Sequence, residues 1–417
     1  MSTASITDLA KSILENAQKV EDYLKANNLP QPSFDEHSPP ELPLSPEMQQ
    51  IRQNAVDAAM DLEALLIGPV MQLRPVLNGA SLNAIYKFDI ATKVPLDGQI
   101  SYEELAPKVG IKRTDLQRIV RFAVVHHHVF QEKTVGMVSH SAASRYLAES
   151  DIARAGLGFM FDECYQSFAH TVEAMQKYGD PEPNQCGWAL AMKADVPMWE
   201  YHGQHPELGE RAGKAMASFT KGTGHDSTAL TRGYDWTVIN AKGGTLVDLG
   251  GADGHVDADI ARLNPGMQFI VQEIPEVLGK AKSTVPQDVA GRLTFAAHDF
   301  FQPQPTSADA YLFRQIFHNW GDRHCVQMLR ALIPALRPGA KVIVNDNILP
   351  PPGVLPPSAE RAVRSIDMIV MSLFNARERS KEDFEAVFAE ADPRFQQVKV
   401  WTPEGSQMGL VEATWSG

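Results

Sequence analysis

The sequence predicts an α/β protein: a doubly wound, mainly parallel sheet with an antiparallel strand pair at its edge, preceded by a mostly helical region. Three observations predict it. From Thr245 onward, short β-type runs alternate with helical segments, the pattern of parallel strands joined by crossover helices. The last two β-type runs are joined by a short turn, too little chain for a parallel crossover. Before residue 235 the apolar residues recur with helical spacing instead.

The chain's 417 residues suffice for two or three domains, and 44% apolar residues supply a sizeable core. A formal net charge of -13 argues against a nucleic-acid-coating surface, which needs clustered positive charge. Cys164, Cys186 and Cys325 are widely spaced, which suits a reducing compartment and gives no zinc-ligand spacing. Residues 1–18 lack the apolar run of a secretory signal, and no run approaches the roughly 20 apolar residues that span a bilayer. The expectation is a cytoplasmic protein with no nucleic-acid, membrane or metal partner.

Residues 1–46 read as a flexible arm, dense in proline, serine and acids over 28–46. Residues 47–235 read as a helical region. From Met48 a helix presents Ile51, Ala55, Ala58, Ala59, Leu62, Leu65 and Leu66 on one face, for a core or for a second subunit. Ser101 to Glu104 and Thr114 to Gln117 read as capping boxes opening two helices, the second buried through Leu116, Ile119, Val120 and Ala123. With β-type residues at Val129-Phe130 and Val135 to Val138, this makes a winged-helix unit. Its second helix offers only Lys112, Arg113, Arg118 and Arg121 as cations, so a structural role is expected rather than DNA binding. Over 150–235 methionine and aromatic residues are dense, which suits a core and equally the wall of a pocket for a flat, apolar substrate. Phe161, Phe168, Met198, Trp199 and His202 are the candidate substrate contacts there.

Residues 236–417 read as a Rossmann-like domain. Strands are expected at Thr245–Leu249, Gln268–Gln272, Leu293–Ala297, Asp309–Phe313, Lys341–Asn345, Val398–Trp401 and Gly409–Ala413. The first strand runs into Asp248-Leu249-Gly250-Gly251-Ala252-Asp253-Gly254, where glycines allow a sharp turn and close approach of a ligand. Glu273 ends the second strand, where an acid can accept hydrogen bonds from both hydroxyls of a ribose. Together they point to a ribose-bearing cofactor. The Asp248, Gly250, Gly254 spacing resembles the S-adenosylmethionine signature, with Ala252 in place of its middle glycine. Asp299, followed by Phe300, stands after the third strand, where such enzymes keep an acid near the adenine edge.

After the fourth strand comes Arg314-Gln315-Ile316-Phe317-His318-Asn319-Trp320-Gly321-Asp322. With Ser81-Leu82-Asn83-Ala84-Ile85, Gly233-Tyr234-Asp235-Trp236, Ile348-Leu349-Pro350 and Arg377-Glu378-Arg379-Ser380, the chain resembles plant caffeate-type O-methyltransferases, and most closely fungal O-methyltransferases of secondary metabolism. The resemblance implies S-adenosylmethionine as cofactor and a homodimer with interlocked N-terminal helices. It implies methylation of a hydroxyl on a small aromatic or polyketide-type metabolite, with His318 as general base and Asp346 and Glu378 orienting it. It also places Arg314 and Trp320 beside the cofactor.

Three positions depart from the family pattern: Asn319 for aspartate, Asp346 for glutamate, and Ala252 for glycine. Some fungal relatives catalyse pericyclic reactions or dehydrations while holding the cofactor unconsumed, a fixed sulfonium stabilising developing negative charge. That is the alternative reading. Such relatives place substrate-contacting polar groups in the N-terminal half, which makes His127, in the run His126-His127-His128, a further candidate contact. Three adjacent residues cannot share one face, so at most two of these histidines point inward.

Overall fold

The structure is a computed structural model that describes residues 4–73, 79–179, 182–220, 224–275, 277–278 and 285–417. The chain forms two compact units that interleave in sequence. The first comprises Met1–Glu163, Glu207–Phe219 and Pro356–Ser358; the second comprises Cys164–Pro206, Thr220–Leu355 and Ala359–Gly417. Residues 164–206, which the sequence placed with the helical region before residue 236, group with the sheet. In that unit Thr171 Oγ1 donates to Ser372 Oγ at 2.8 Å, and Cys186 Sγ donates to the Leu373 carbonyl at 3.1 Å. A change of apolar period marks a change of secondary structure; it does not say which core a helix joins.

In the first unit, the arm expected to be flexible contains a helix, Ile6–Ala26. Ser5 and Asp8 form a capping box at its start. Val20 and Leu24 are buried with Leu44, against Tyr23, Leu29, Leu42, Met48 and Ile51. Residues 28–45 are irregular but tied down: Phe34 stacks on His128 with ring centroids 4.0 Å apart, and Asp35 bridges to Ser141. The helix Pro46–Gln72 breaks at Gly68, where φ is 72°, just before Pro69. Of its apolar face only Ala58 is buried; Leu65 and Leu66 stay 55% and 65% exposed.

The helix Tyr102–Val109 opens with the expected Ser101–Glu104 capping box. The second box does not form. Gly110 ends the first helix in the left-handed region and the next helix, Arg113–His127, starts one residue before Thr114, so Thr114 lies inside its first turn. The wing is the antiparallel pair β1 (Ile100–Ser101) and β2 (Met137–Val138), with a further antiparallel bridge from Gln131 to Ser139.

The second unit is built on a seven-stranded sheet: β3 (Thr245–Leu249), β4 (Gln268–Glu273), β5 (Leu293–Ala297), β6 (Ala310–Arg314), β7 (Lys341–Asn345), β8 (Phe395–Trp401) and β9 (Leu410–Trp415). Its order is β5-β4-β3-β6-β7-β9-β8. Strands β3 to β7 pair in parallel, and β9 runs antiparallel to both β7 and β8, the expected edge pair. Side chains alternate between two cores. Val247, Tyr311, Phe313, Val342 and Val344 pack on one face with Leu329 and Phe388. Leu246, Phe269, Leu312 and Ile343 pack on the other with Val256, Ile260 and Trp236. Both faces are covered, so the β-type runs read as continuously apolar and the switch at β3 to a tight glycine turn stands out.

Among the described residues, no helix is long and apolar enough to cross a membrane, and no three His, Cys, Asp or Glu side chains group as a metal site.

Candidate active site

The carboxyl ends of the parallel strands carry the chemistry, as open α/β sheets require. At the end of β3, Gly250 has φ 78°, and its N–H donates to the Gln272 carbonyl at 2.8 Å. A Cβ on it would lie 2.7 Å from Ile316 Cδ1, and one on Gly251 would lie 2.5 Å from Asp248 Oδ2. Gly254, with φ 73°, opens the helix His255–Leu263. Ala252 sits at φ 51°, so the residue that replaces glycine has kept glycine's backbone region.

Glu273, ending β4, closes the loop from the other side. Its Oε1 accepts the Ala252 N–H and its Oε2 the Ile274 N–H, both at 3.1 Å. Each oxygen retains lone-pair capacity, so the carboxylate can still accept two hydroxyls. Phe300 and Phe301 meet Trp320 edge-on, at 6.2 and 4.8 Å between centroids. Asp299 is exposed and caps its own turn by accepting the Phe301 N–H at 2.9 Å. A glycine cradle, an acid with spare acceptors and an aromatic edge fit a nucleoside-bearing cofactor.

Arg314 holds the surrounding chain in place. Its guanidinium donates to Asn345 Oδ1 and to the His225 carbonyl, the latter at 2.7 Å. It interacts electrostatically with both Asp248 and Asp346.

His318 lies in a one-turn helix, Phe317–Asn319, after β6. Its Nδ1 is 3.0 Å from Glu378 Oε1. Asp346 acts elsewhere: its Oδ2 accepts the backbone N–H of His318 at 3.2 Å. One acid thus holds the ring and the other holds the turn. They meet because the chain beyond β7 pairs with the segment after residue 375, through the Ile348–Arg379 bridge.

Three neighbours complete this geometry, and sequence reasoning assigned none of them a role. Asn347 Nδ2 donates to Glu378 Oε1 at 2.9 Å, and the Glu378 N–H donates to Asp367 Oδ1 at 2.9 Å. Arg379 is 1% exposed and donates to the carbonyls of Phe317 and Trp320, each at 2.7 Å, clamping the turn on both sides of His318. A second cation beside Glu378 was the available signal, but charged runs usually lie on the surface.

Burial opposes charge on the imidazole, yet Glu378 and then Asp346 outweigh it and raise His318 to about 9. Burial, reinforced by Glu378, pushes Asp346 up to about 7.

The candidate substrate contacts divide between the units. In the sheet unit, Trp199 stacks on Phe374, 5.4 Å between centroids and 15° between planes, and Phe374 lies four residues before Glu378. Met198 is 1% exposed, and His202 meets Trp199 edge-on at 6.2 Å. Phe168 is partly exposed on the helix Tyr165–Lys177, beside Tyr165. Phe161 and His127 belong to the first unit: Phe161 is buried in the π-turn Met160–Cys164, and His127 ends its helix 5.9 Å from the Phe122 ring.

This fold and loop define an α/β enzyme with a nucleoside-cofactor site. Residues 173–393 match the O-methyltransferase domain family. The chain is 44% identical to the grayanic acid biosynthesis cluster O-methyltransferase of Cladonia grayi, over 99% of this chain and 88% of that one. It is 43% identical to O-methyltransferase pyvH of Aspergillus violaceofuscus over the full length of both. It is 34% identical to the chlorophenol O-methyltransferase of Trichoderma longibrachiatum, over 98% of this chain and 89% of that one. Among solved structures, OxaC superposes with a TM-score of 0.77 at 20% identity, covering 99% of each chain. LepI, solved with SAH and a substrate analogue, gives a TM-score of 0.70 at 18% identity over 97% of this chain and 99% of its own. The chain belongs to the O-methyltransferase family; it is an S-adenosylmethionine-dependent enzyme of the fungal secondary-metabolism type.

Proposed function

We propose that this enzyme methylates a phenolic hydroxyl of a small aromatic or polyketide-type metabolite, with His318 as general base. The observation that carries this reading is the 3.0 Å contact between His318 Nδ1 and Glu378. A carboxylate there accepts a hydrogen bond from the Nδ1–H, leaves Nε2 as the basic nitrogen and stabilises the imidazolium as it forms. With His318 raised to about 9, its basicity approaches that of a phenol, roughly 10, so the proton passes between nearly matched groups. The Trp199–Phe374 stack supplies a flat apolar surface for an aromatic ring, and one relative is named for a chlorophenol.

Gly250, Gly251 and Gly254 would let the cofactor approach the backbone, with Asp248 beneath them and Glu273 accepting its ribose hydroxyls. Asp299, Phe300 and Trp320 would border its base, and Arg314 would hold the neighbouring chain. S-adenosylmethionine supplies an electrophilic methyl group on a sulfonium sulfur. His318 would take the substrate's hydroxyl proton, leaving the oxygen free to accept the methyl group as its bond to sulfur breaks and S-adenosylhomocysteine leaves; Asp346 would keep the His318 backbone in place. Phe161, Phe168, Met198, His202 and His127 remain candidate substrate contacts. The exposed Leu65, Leu66, Val70 and Leu73 support a homodimer formed through the N-terminal helices.

Incubation with methyl-labelled cofactor and a panel of phenols tests the reading. Label in the ether product, stoichiometric S-adenosylhomocysteine and loss of both in His318→Ala are expected. Turnover without S-adenosylhomocysteine, surviving in His318→Ala, would mean that the cofactor is retained for pericyclic or dehydration chemistry instead. A monomer by light scattering at micromolar concentration would remove the dimer.

A further inference from the structure

The helix that follows the glycine loop carries an acid the methyl-transfer scheme does not use. Asp257, in the first turn of His255–Leu263, is fully buried, and Asp248 at the end of β3 is 2% exposed. Among the described residues, no N–H or O–H donor other than Asp257's own backbone N–H reaches either oxygen of Asp257 or Oδ1 of Asp248. The two carboxyls lie within hydrogen-bonding reach of each other. Facing each other while both ionised, they would combine like charge with unpartnered buried acceptors. A single proton removes both penalties, because a carboxylic acid donates to a carboxylate.

We propose that Asp257 is a positioning residue that holds a shared proton against Asp248 at neutral pH, so that binding of cationic S-adenosylmethionine, but not of neutral S-adenosylhomocysteine, is linked to release of that proton.

The surroundings favour one negative charge on the pair. Arg314 from β6 and His255 favour an ionised Asp248, while Glu273 from β4 repels it. Asp253, in the loop, opposes charge on Asp257. Burial sets the scale: Asp257 is held far above the usual carboxylate range, and Asp248 is pushed up to about 6. The glycine loop rests on the Asp248 side of this pair, since a Cβ on Gly251 would meet Asp248 Oδ2 at 2.5 Å. A cation bound on that loop favours the second ionisation, so affinity for S-adenosylmethionine rises with pH through the pair's titration. The inference is independent of the role given to His318.

The test is calorimetric titration of the full-length enzyme with each nucleoside, in buffers of different ionisation enthalpy, from about pH 6 to about pH 9. Asp257→Asn keeps a donor toward Asp248 but has no proton to lose. Wild type is expected to release protons with S-adenosylmethionine only, and its preference for that ligand should grow severalfold across the range. Asp257→Asn should bind both ligands within about threefold of wild type at neutral pH, with that release abolished and the preference flat. His318 and Asp346 also titrate in this window; the difference between wild type and Asp257→Asn isolates the acid pair. Infrared spectra should show a carboxylic-acid carbonyl band at neutral pH in wild type that is missing from Asp257→Asn. That band does not depend on cofactor binding, so it separates failure of this proposal from failure of the cofactor site. Unchanged proton release in Asp257→Asn, or an unaltered band, would overturn the proposal.

Discussion

The Nδ1 of His318 and the Oε1 of Glu378 lie 3.0 Å apart although 60 residues separate them in the chain, and Asn347 donates to the same carboxylate oxygen at 2.9 Å. Glu378 is 2% exposed, so this acid reaches the imidazole without competition from bulk water. The contact fixes the tautomer of the imidazole, as the proposed base requires.

Replacing Glu378 by Gln keeps the shape and removes the charge. Methyl transfer should fall by about 10²- to 10⁴-fold, the range general-base catalysis contributes, while the affinity for S-adenosylhomocysteine holds. Single-turnover kinetics with calorimetry read the two separately. Transfer near the wild-type rate would place the base elsewhere.

The pH dependence follows from the same pair. Imidazolium cannot accept a proton, so kcat/KM, which reports the free enzyme, should climb with pH until about 9. Because the folded value of His318 lies above its ordinary one, its stabilisation is complete below about pH 6.5 and disappears as pH rises through about 9. Asp346, also raised, to about 7, acts in the same direction: its neutral form is lost as pH passes that value. Unfolding midpoints of wild type should therefore fall between about pH 7 and about pH 9 relative to His318→Ala. A rate profile that is flat over this window would separate His318 from the rate-determining proton transfer.

The glycine loop predicts opposite effects from two one-carbon changes. Ala252 is left-handed at φ 51°, a region that disfavours alanine by roughly 1–2 kcal/mol relative to glycine, offset in part by the greater freedom of an unfolded glycine. Ala252→Gly should gain about 0.5–1 kcal/mol in urea unfolding. Gly251→Ala forces a carbon to 2.5 Å from Asp248 Oδ2 and should weaken cofactor binding by about 1–3 kcal/mol. Equal stability of the first pair would mean the loop relaxes away from that conformation.

Tyr234 supports the sheet's edge. Its hydroxyl donates to Glu412 on β9 at 2.6 Å, and Lys341 Nζ reaches the same carboxylate at 3.0 Å. Tyr234→Phe should destabilise by about 1–2 kcal/mol while kcat/KM per folded molecule is unchanged. A selective loss of activity would assign Tyr234 a part in the reaction.

The parallel sheet was legible because strands buried on both faces leave apolar runs, punctuated by turns that need glycine; β3, β5 and β7 fall at the residues where the pattern places them. The edge pair followed from the shortness of its turn. The helix Ile6–Ala26 was not legible against the polar, proline-bearing stretch beside it, and it persists by burying Val20 and Leu24. By itself the sequence determined the sheet and the glycine turn that follows β3, both set by local chain chemistry, while its resemblance to the family singled out His318 as the candidate base. Only the tertiary structure decided that Glu378 holds the ring while Asp346 holds the backbone, that buried Arg379 clamps the turn, and that Asp257 faces Asp248. Those outcomes depend on contacts between segments far apart in the chain, which register and packing create and no local pattern encodes.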